Sequence, residues 1–272
     1  MAELLCPVCG RSLVRGERTY ACAAKHSYDL AKQGYVNLLP PSDSRKRHGD
    51  DKLMVRARSE FLDAGFYDPL SNEIASLSCA LTGRTPDLLD AGCGEGKYTV
   101  DVLNALRAAG KQPSIVGVDI SKEALMRAGR RSKELTLCAA SLAKLPLAGE
   151  SIDLIIDIFA PFMREEFLRV LRPGGHLLWA YPLEKHLWEL KELIYDKPYE
   201  NPPMALRQYG FRLTETKNVC FEMELTSGEQ IQNLFCMTPY YYKTGAEDQK
   251  KASAARSLTV RAEFGIAVYE KE

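Results

Sequence analysis

From residue 87 onward, short apolar runs alternate with stretches whose apolar residues recur every three or four positions. The runs Asp87 to Asp90, Ile115 to Asp119, Leu135 to Ala139, Ile152 to Ile158 and His176 to Ala180 have strand length. They are near-continuously apolar, as parallel strands buried on both faces are. Between them, Tyr98 to Ala109, Glu123 to Arg131 and Arg164 to Leu171 carry helical spacing. Gly110 stops the first of these, and Ser121 can cap the second. Arg172-Pro173-Gly174-Gly175 reads as a turn before the fifth strand. Alternating strands and helices with short links predict an α/β fold with a doubly wound sheet, its ligand at the strands' carboxyl ends. Phe211 to Leu225 and Leu258 to Tyr269 alternate like strands and should form a last antiparallel pair.

Ahead of this part, Lys52 to Leu81 reads as two helices. Met54, Val55, Ala57, Phe61 and Leu62 mark the first, and Leu70, Ile74 and Leu77 the second, with Gly65 as stop and Pro69 as start. Residues 42–52 are polar and charged, as in an exposed loop. Within them Arg45-Lys46-Arg47-His48 suits either a phosphate contact or a solvated face. These shifts divide the chain into 1–41, a small module; 42–81, a basic linker with two covering helices; and 82–272, the α/β domain.

Composition narrows the class. An apolar content of 46% and a charged content of 26% describe an ordinary globular protein. No apolar run reaches the length of a membrane span, and the N-terminus has no signal-peptide pattern, so a cytoplasmic protein with no membrane association is expected. There, eight cysteines suggest metal ligands or buried thiols before disulfides. The net charge is zero, yet residues 1–60 hold 11 Lys+Arg against 7 Asp+Glu. That excess fits a module that meets a polyanion, and equally a solvated face.

The first candidate chemistry is Cys6-Pro7-Val8-Cys9, twelve residues, Cys22, three residues and His26. Two pairs of ligands on two tight turns build a tetrahedral structural Zn2+ site. Cys6, Cys9, Cys22 and His26 fill all four positions, so the metal is structural and not catalytic. A short hairpin with Gly16 in its turn joins the pairs. A module this small buries little core of its own, and metal should supply much of its folding free energy.

The second is Asp90-Ala91-Gly92-Cys93-Gly94-Glu95-Gly96-Lys97-Tyr98, at the junction of the first strand and helix. Glycines there allow a tight turn and close approach of backbone N–H groups to a ligand. Asp119, at the end of the second strand, suits a ribose diol. The spacing is G-x-G-x-G, not the G-x-G-x-x-G of dinucleotide sites. It resembles motif I of class I S-adenosylmethionine methyltransferases. The resemblance implies that Asp90, Gly92, Gly94, Glu95, Gly96 and Tyr98 lie against the methionine part of the cofactor, Asp119 on its ribose and Ser141 beside its adenine. Leu171-Arg172-Pro173-Gly174-Gly175-His176-Leu177 is a further companion of that motif.

Joined to Gly34-Tyr35-Val36-Asn37-Leu38-Leu39-Pro40, Gly49-Asp50, Ala57-Arg58, Phe61 to Gly65, Phe159-Ala160-Pro161, His186-Leu187 and Met237-Thr238-Pro239, these motifs resemble one family over nearly the whole chain. It is that of the bacterial 23S ribosomal RNA guanine-N1 methyltransferases with an N-terminal zinc finger. The resemblance implies 23S rRNA as substrate, recognition of RNA by the zinc module, a homodimer, and cofactor contacts from Tyr67 and His186. Without it, Tyr67 reads equally as a packing residue, and His186, at the start of a helix expected within Pro182 to Leu190, ordinarily as a surface or packing residue. Asp157, before Phe159-Ala160-Pro161, is the candidate proton acceptor, and Phe159 the candidate platform for a flipped base. The rings of Tyr240, Tyr241 and Tyr242 either stack on unpaired bases or close the core. A methyltransferase of a quinone or lipid precursor would share the cofactor core but need neither zinc nor the basic linker. A non-catalytic zinc-containing RNA-binding protein would need neither the glycine turn nor Asp119.

Overall fold

The structure, a computed structural model, describes residues 3–40 and 51–272. The basic run Arg45 to His48 and the pair Gly49-Asp50 lie outside the described residues. The chain opens with an antiparallel three-stranded sheet of β1 (Leu13–Arg15), β2 (Thr19–Cys22) and β3 (Ser27–Asp29). Gly16 lies in the β1–β2 turn, where its N–H donates to Thr19 O (2.8 Å). β4 (Tyr35–Asn37) then leaves this module and pairs in parallel with a strand of the large sheet. The boundary expected at residue 41 therefore falls after a strand that the α/β domain already claims.

Two helices follow, α1 (Lys52–Asp63) and α2 (Asp68–Leu81). Asp51 caps α1 through Met54 N–H at 2.9 Å, Gly65 ends it in the left-handed region, and Pro69 occupies the first turn of α2. The expected alternation comes next: β5 (Asp87–Ala91), α3 (Lys97–Ala108), β6 (Ser114–Asp119), α4 (Lys122–Arg131), β7 (Thr136–Ala139), β8 (Ile152–Ile158), α5 (Arg164–Val170) and β9 (Leu171–Pro182). After α6 (Trp188–Ile194), β10 (Phe211–Leu225) and β11 (Leu258–Lys271) form the long antiparallel pair, with α7 (Gly228–Met237), α8 (Tyr240–Lys243) and α9 (Ala246–Ala254) between them.

The large sheet runs β10-β11-β9-β8-β5-β6-β7-β4, with β4 to β9 mutually parallel and β11 and β10 antiparallel. Order reverses at β5, so its carboxyl end opens at the switch point where doubly wound sheets bind ligands. Side-chain alternation sends Leu88, Ile115 and Leu154 to one face, under α1, α2 and α3, and Leu89, Val116 and Ile155 to the other. Each such fully buried aliphatic side chain contributes about 1.5–3 kcal/mol.

Two expectations are revised and a third is extended. The turn at Arg172 to Gly175 is a bulge inside β9: Ile152 pairs with Leu171, and Leu154 with His176, so the intervening residues loop out, Gly174 with a positive φ. The helix expected to begin at His186 starts at Trp188, because Leu187 sits in the left-handed region (φ 55°). The zinc module adds to its own small core by packing on the large sheet. Leu4, Leu13, Tyr20, Val36 and Leu38 join Val116, Val118, Cys138, Leu145 and Leu147 in the cluster on the second face of the large sheet. Helices α7 and α9 lie outside the elements expected above, although α7 buries Ile231, Leu234 and Phe235 at helical spacing.

Candidate active site

The turn after β5 is fixed by backbone bonds. Gly92 and Cys93 N–H both donate to Val118 O, at 2.8 and 3.1 Å, and Gly96 N–H donates to Cys93 O at 3.0 Å. Gly92, Gly94 and Gly96 have φ of 80°, 55° and 81°. A Cβ on Gly92 would stand 2.5 Å from Ala160 Cβ, and one on Gly96 2.9 Å from Ala128 Cβ. Steric crowding and the left-handed backbone thus both demand glycine at these two positions.

Acidic groups gather around this turn. Asp119 Oδ2 accepts from Gly94 N–H (2.9 Å), and its Oδ1 from Ser121 N–H (2.7 Å). It ends β6 beside the turn, the place a ribose-binding acid needs. Asp90 is buried and accepts from the Thr99 hydroxyl, tying β5 to α3. Burial lifts its pKa to about 7, with Asp119 and Glu95 adding to the rise and Thr99 opposing it. Burial likewise raises Glu95, against the pull of Arg58 and Arg131. Ser141 follows β7 directly and caps a short 3-10 turn, accepting from Ala143 N–H (3.2 Å). Ala140 N–H donates to Asp119 O (3.2 Å), which joins this segment to the end of β6.

Tyr67, His186 and Phe159 converge on one ring, Phe264 of β11, with centroid distances of 5.0, 4.5 and 5.4 Å. Tyr67 and His186 are themselves 6.5 Å apart. His186 Nδ1 accepts from Glu263 N–H (3.1 Å), which leaves Nε2 to carry the proton of the neutral ring. Burial, helped by the charge of Lys191, lowers its pKa to about 3, so it is neutral across the physiological range. Phe159 has a left-handed backbone (φ 61°) and is 46% exposed, an unusual combination for a large aromatic ring at a strand end. Beneath it Asp157 is fully buried. Its Oδ1 accepts from Ala160 N–H (3.1 Å), and burial, with Asp90 nearby, raises it well above the carboxylate range. Of the three rings expected to stack or to pack, Tyr240 is buried over the Lys191 ammonium (5.3 Å), whereas Tyr242 is exposed.

Three buried polar atoms here have no hydrogen-bond partner among the described residues: Glu95 Oε1, Tyr98 OH and Asp157 Oδ2. Unmet groups of this kind fit a polar ligand lying over the glycine turn. The seat is roofed by α1 and α2, and the open clefts lie beside it. One of about 370 Å³ separates α1 from α7, and one of about 220 Å³ is lined by Ser59, Asp63, Arg127, Arg130 and Arg131.

Two arginines of the site had no role assigned from sequence, Arg58 standing there only within the family pair Ala57-Arg58. Arg131 of α4 donates to Glu95 O (2.9 Å), Asp63 Oδ1 (2.6 Å) and Ser59 Oγ (3.1 Å), stapling α1 to the turn. Arg58 of α1 reaches Met237 O (3.5 Å) and stands over Gly94. For Arg131 the only sequence signal is a charge on an amphipathic helix, which ordinarily marks a solvated face.

At the other end of the chain, the ligand atoms of Cys6, Cys9, Cys22 and His26 all lie within 4.8 Å of one another. Cys9 Sγ is 3.6 Å from Cys22 Sγ, and His26 Nδ1 is 3.5 and 3.4 Å from the sulfurs of Cys6 and Cys22. These are edge lengths of a tetrahedron with bonds of about 2.0–2.3 Å, and three thiols with one imidazole suit zinc. Burial pushes the Cys6 thiol up, but hydrogen bonds from Tyr28 and from backbone groups outweigh it and bring its pKa to about 6.

Comparison with known proteins agrees with both halves. Residues 4–47 match the zinc-ribbon family described as "RlmA, N-terminal", and residues 86–238 match a "Methyltransferase domain" family. A protein of Micromonospora griseorubida provisionally named 23S rRNA (guanine-N(1)-)-methyltransferase is 39% identical over 216 residues, 71% of this chain and 70% of its own. The 23S rRNA (guanine(748)-N(1))-methyltransferase of Streptomyces fradiae is 36% identical, over 70% of this chain and 67% of its own. Among solved structures, a provisionally assigned type II methyltransferase of Anaeromyxobacter dehalogenans shares the fold, with a TM-score of 0.50, 19% identity, and coverage of 74% of this chain and 95% of its own. With a zinc ribbon and an S-adenosylmethionine-dependent methyltransferase domain on one chain, the protein belongs to the family of 23S rRNA (guanine-N1)-methyltransferases.

Proposed function

We propose that this protein methylates N1 of a guanine in a hairpin of 23S rRNA. The observation that carries the reading is the union of the two modules: a four-ligand zinc ribbon packs into the same hydrophobic cluster as Leu89 and Ala91 of β5, the strand that leads into a glycine turn of the methyltransferase type. Bound S-adenosylmethionine supplies the electrophilic methyl group, so the chain's task is alignment and proton handling. Gly92, Gly94, Glu95, Gly96 and Tyr98 would hold the methionine end, Asp119 the ribose, and Ser141 the adenine side. Tyr67 and His186 would close the seat, with His186 as a hydrogen-bond donor through Nε2.

The acceptor must leave its stack to reach the methyl group. Phe159, exposed and propped by Phe264, offers the flipped base a stacking face. N1 of guanine carries a proton that must be removed, and Asp157 is the proposed acceptor. In support are its place at the carboxyl end of β8, its partnerless Oδ2, and a pKa that burial moves toward that of an effective base. Its Oδ1 also fixes the turn that presents Phe159. Asp157→Asn keeps an acceptor for Ala160 N–H but cannot take a proton. Its turnover on unmodified 23S rRNA should fall by about two orders of magnitude or more with cofactor affinity retained. Near-normal turnover would remove Asp157 from the proton path.

The RNA itself is proposed to meet the zinc ribbon, and two copies of the chain to act as a homodimer in the cytoplasm, as the family resemblance suggests. Light scattering of the purified protein tests the dimer. Among the described residues no helix is long and apolar enough to cross a membrane. Mapping of labelled methyl groups incorporated into rRNA that lacks the modification tests the whole reading, and uptake at any atom other than guanine N1 would refute it.

A further inference from the structure

Helix α4 carries arginine at 127, 130 and 131, three and four positions apart, so all three lie on one face. That face and α1 line an open cleft of about 220 Å³, walled by Ser59, Asp63 and the three arginines, with no ring and no apolar side chain. One of the three charges is committed. Arg131 donates from Nη1 to Asp63 Oδ1 (2.6 Å), from Nη2 to Ser59 Oγ (3.1 Å) and from Nε to Glu95 O (2.9 Å). Neither Arg127 nor Arg130 has an ion pair among the described residues, and the buried Nε of Arg127 has no hydrogen-bond partner there. The charge of Arg127 also acts on Glu60, but the oxygens of Glu60 are held by Arg56 Nε (2.7 Å) and Asn233 Nδ2 (3.2 Å).

The helix dipole favours cations in the last turn of α4 and so accounts for Arg130 and Arg131. It does not account for Arg127, one turn earlier and half-buried. A donor shut away from water without an acceptor is costly, and like charges three apart on a helix repel. An anion in the cleft offsets the repulsion and gives the two guanidiniums a partner. We propose that Arg127 and Arg130 hold a backbone phosphate of the RNA here, against a wall fixed by Arg131 and Asp63. A base would find nothing to stack on, so the contact positions RNA without reading its sequence. The place in the fold favours RNA over a free anion. On the opposite face of α4, Lys133 Nζ donates to Gln33 O (2.9 Å), and a Cβ on Gly129 would stand 2.2 Å from that same oxygen. Gln33 lies between β3 and β4, where the chain leaves the zinc module. Helix α4 therefore bridges the ribbon to α1, the roof of the cofactor seat, and the cleft sits on that bridge.

This inference rests on the reading of the protein as a 23S rRNA methyltransferase. The test uses the full-length zinc-loaded protein and a fragment of unmodified 23S rRNA, with affinity followed by fluorescence anisotropy from about 50 to 200 mM salt. The main variant joins Arg127→Gln to Arg130→Gln. Arg130→Gln alone alters only an exposed side chain, and Arg212→Gln, on β10 at the far edge of the sheet, controls for net charge. The double variant should bind RNA about tenfold more weakly, with a salt slope lower by about one, and Arg130→Gln should show part of both effects. Its KM for RNA should rise with kcat and S-adenosylhomocysteine affinity each within about twofold of the wild type. A wild-type salt slope in the double variant would overturn the site. So would an equal loss with Arg212→Gln, which marks bulk charge, or a parallel loss of S-adenosylhomocysteine affinity, which marks an effect through the fold. Calorimetry with inorganic phosphate separates the sources: micromolar binding that the double variant abolishes would assign the cleft to a free anion and overturn the RNA contact. A wild-type protein that neither binds nor methylates the fragment would sink the substrate reading itself, and the phosphate site with it.

Discussion

Stripping zinc from the ribbon should weaken cofactor binding in the complete absence of RNA. The link runs through the segment after β7, which includes Ser141. Leu38 N–H donates to Ala139 O (2.9 Å), Leu5 N–H donates to Pro146 O (2.8 Å), and Leu4 forms an antiparallel bridge with Leu147. All of these residues flank the zinc ligands, Leu4 and Leu5 immediately before Cys6 and Leu38 just beyond His26 and β4. The Leu5–Pro146 bond is the one that makes the Leu4–Leu147 bridge, so two backbone bonds at about 1 kcal/mol each give roughly 2 kcal/mol of ordering in the 139–147 segment. If that order is lost, the seat must be rebuilt at each binding event, and affinity falls by up to about thirtyfold. Cys9→Ser is the preferred perturbation, because Cys9 is exposed and its replacement leaves no core cavity. Zinc content would be measured by atomic absorption, global fold by circular dichroism, and S-adenosylhomocysteine affinity by calorimetry. A zinc-free, folded protein that binds within twofold of the wild type would refute the coupling.

Gly92→Ala should cost about 2–5 kcal/mol, from a left-handed φ and a 2.5 Å clash with Ala160, read by urea unfolding. Asp90→Asn isolates a titration. The folded pKa of about 7 lies above the ordinary 3.8, so the protonated side chain's contribution is complete below about pH 4 and is lost as pH climbs through 7. The stability difference should therefore move in favour of the variant by up to about 4 kcal/mol between pH 4 and pH 8; a pH-independent difference would count against it. Arg131→Ala removes three hydrogen bonds that hold α1 to the turn, and hydrogen exchange should accelerate in α1 before it does in β5 or β8. Turnover should rise with pH through the raised pKa of Asp157, since only its ionised form accepts a proton, and a flat pH profile would speak against that assignment.

Much of this was written locally. Continuous apolar runs specified β5, β6 and β8 to within a residue, because a strand buried on both faces needs no partner to declare itself. The glycines at 92, 94 and 96 announced their turn by spacing, and the structure supplies the reason in positive φ and in the Ala160 and Ala128 contacts. The four zinc ligands lie within 21 residues on two tight turns, so their convergence also follows from short-range geometry.

What tertiary structure alone decided involves residues far apart in the chain. A period shows which face of an element is buried, not what covers it. The pairing of β4 with β7 crosses about a hundred residues, and the merging of Leu4, Leu13 and Tyr20 with the sheet's second face is equally nonlocal. The same limit hid the contacts of Arg58 and Arg131, which appear only where α1 and α4 meet beside the glycine turn. It also left Tyr240 and Tyr242 indistinguishable in a run of identical rings, until Lys191 drew one inward and left the other outside. The sequence therefore determined the class of fold, the metal module and the glycine turn at the end of β5, each built from neighbours in the chain. Only packing decided which charges surround that turn and that the zinc module packs on the same sheet, because contacts between distant segments leave no local period to read.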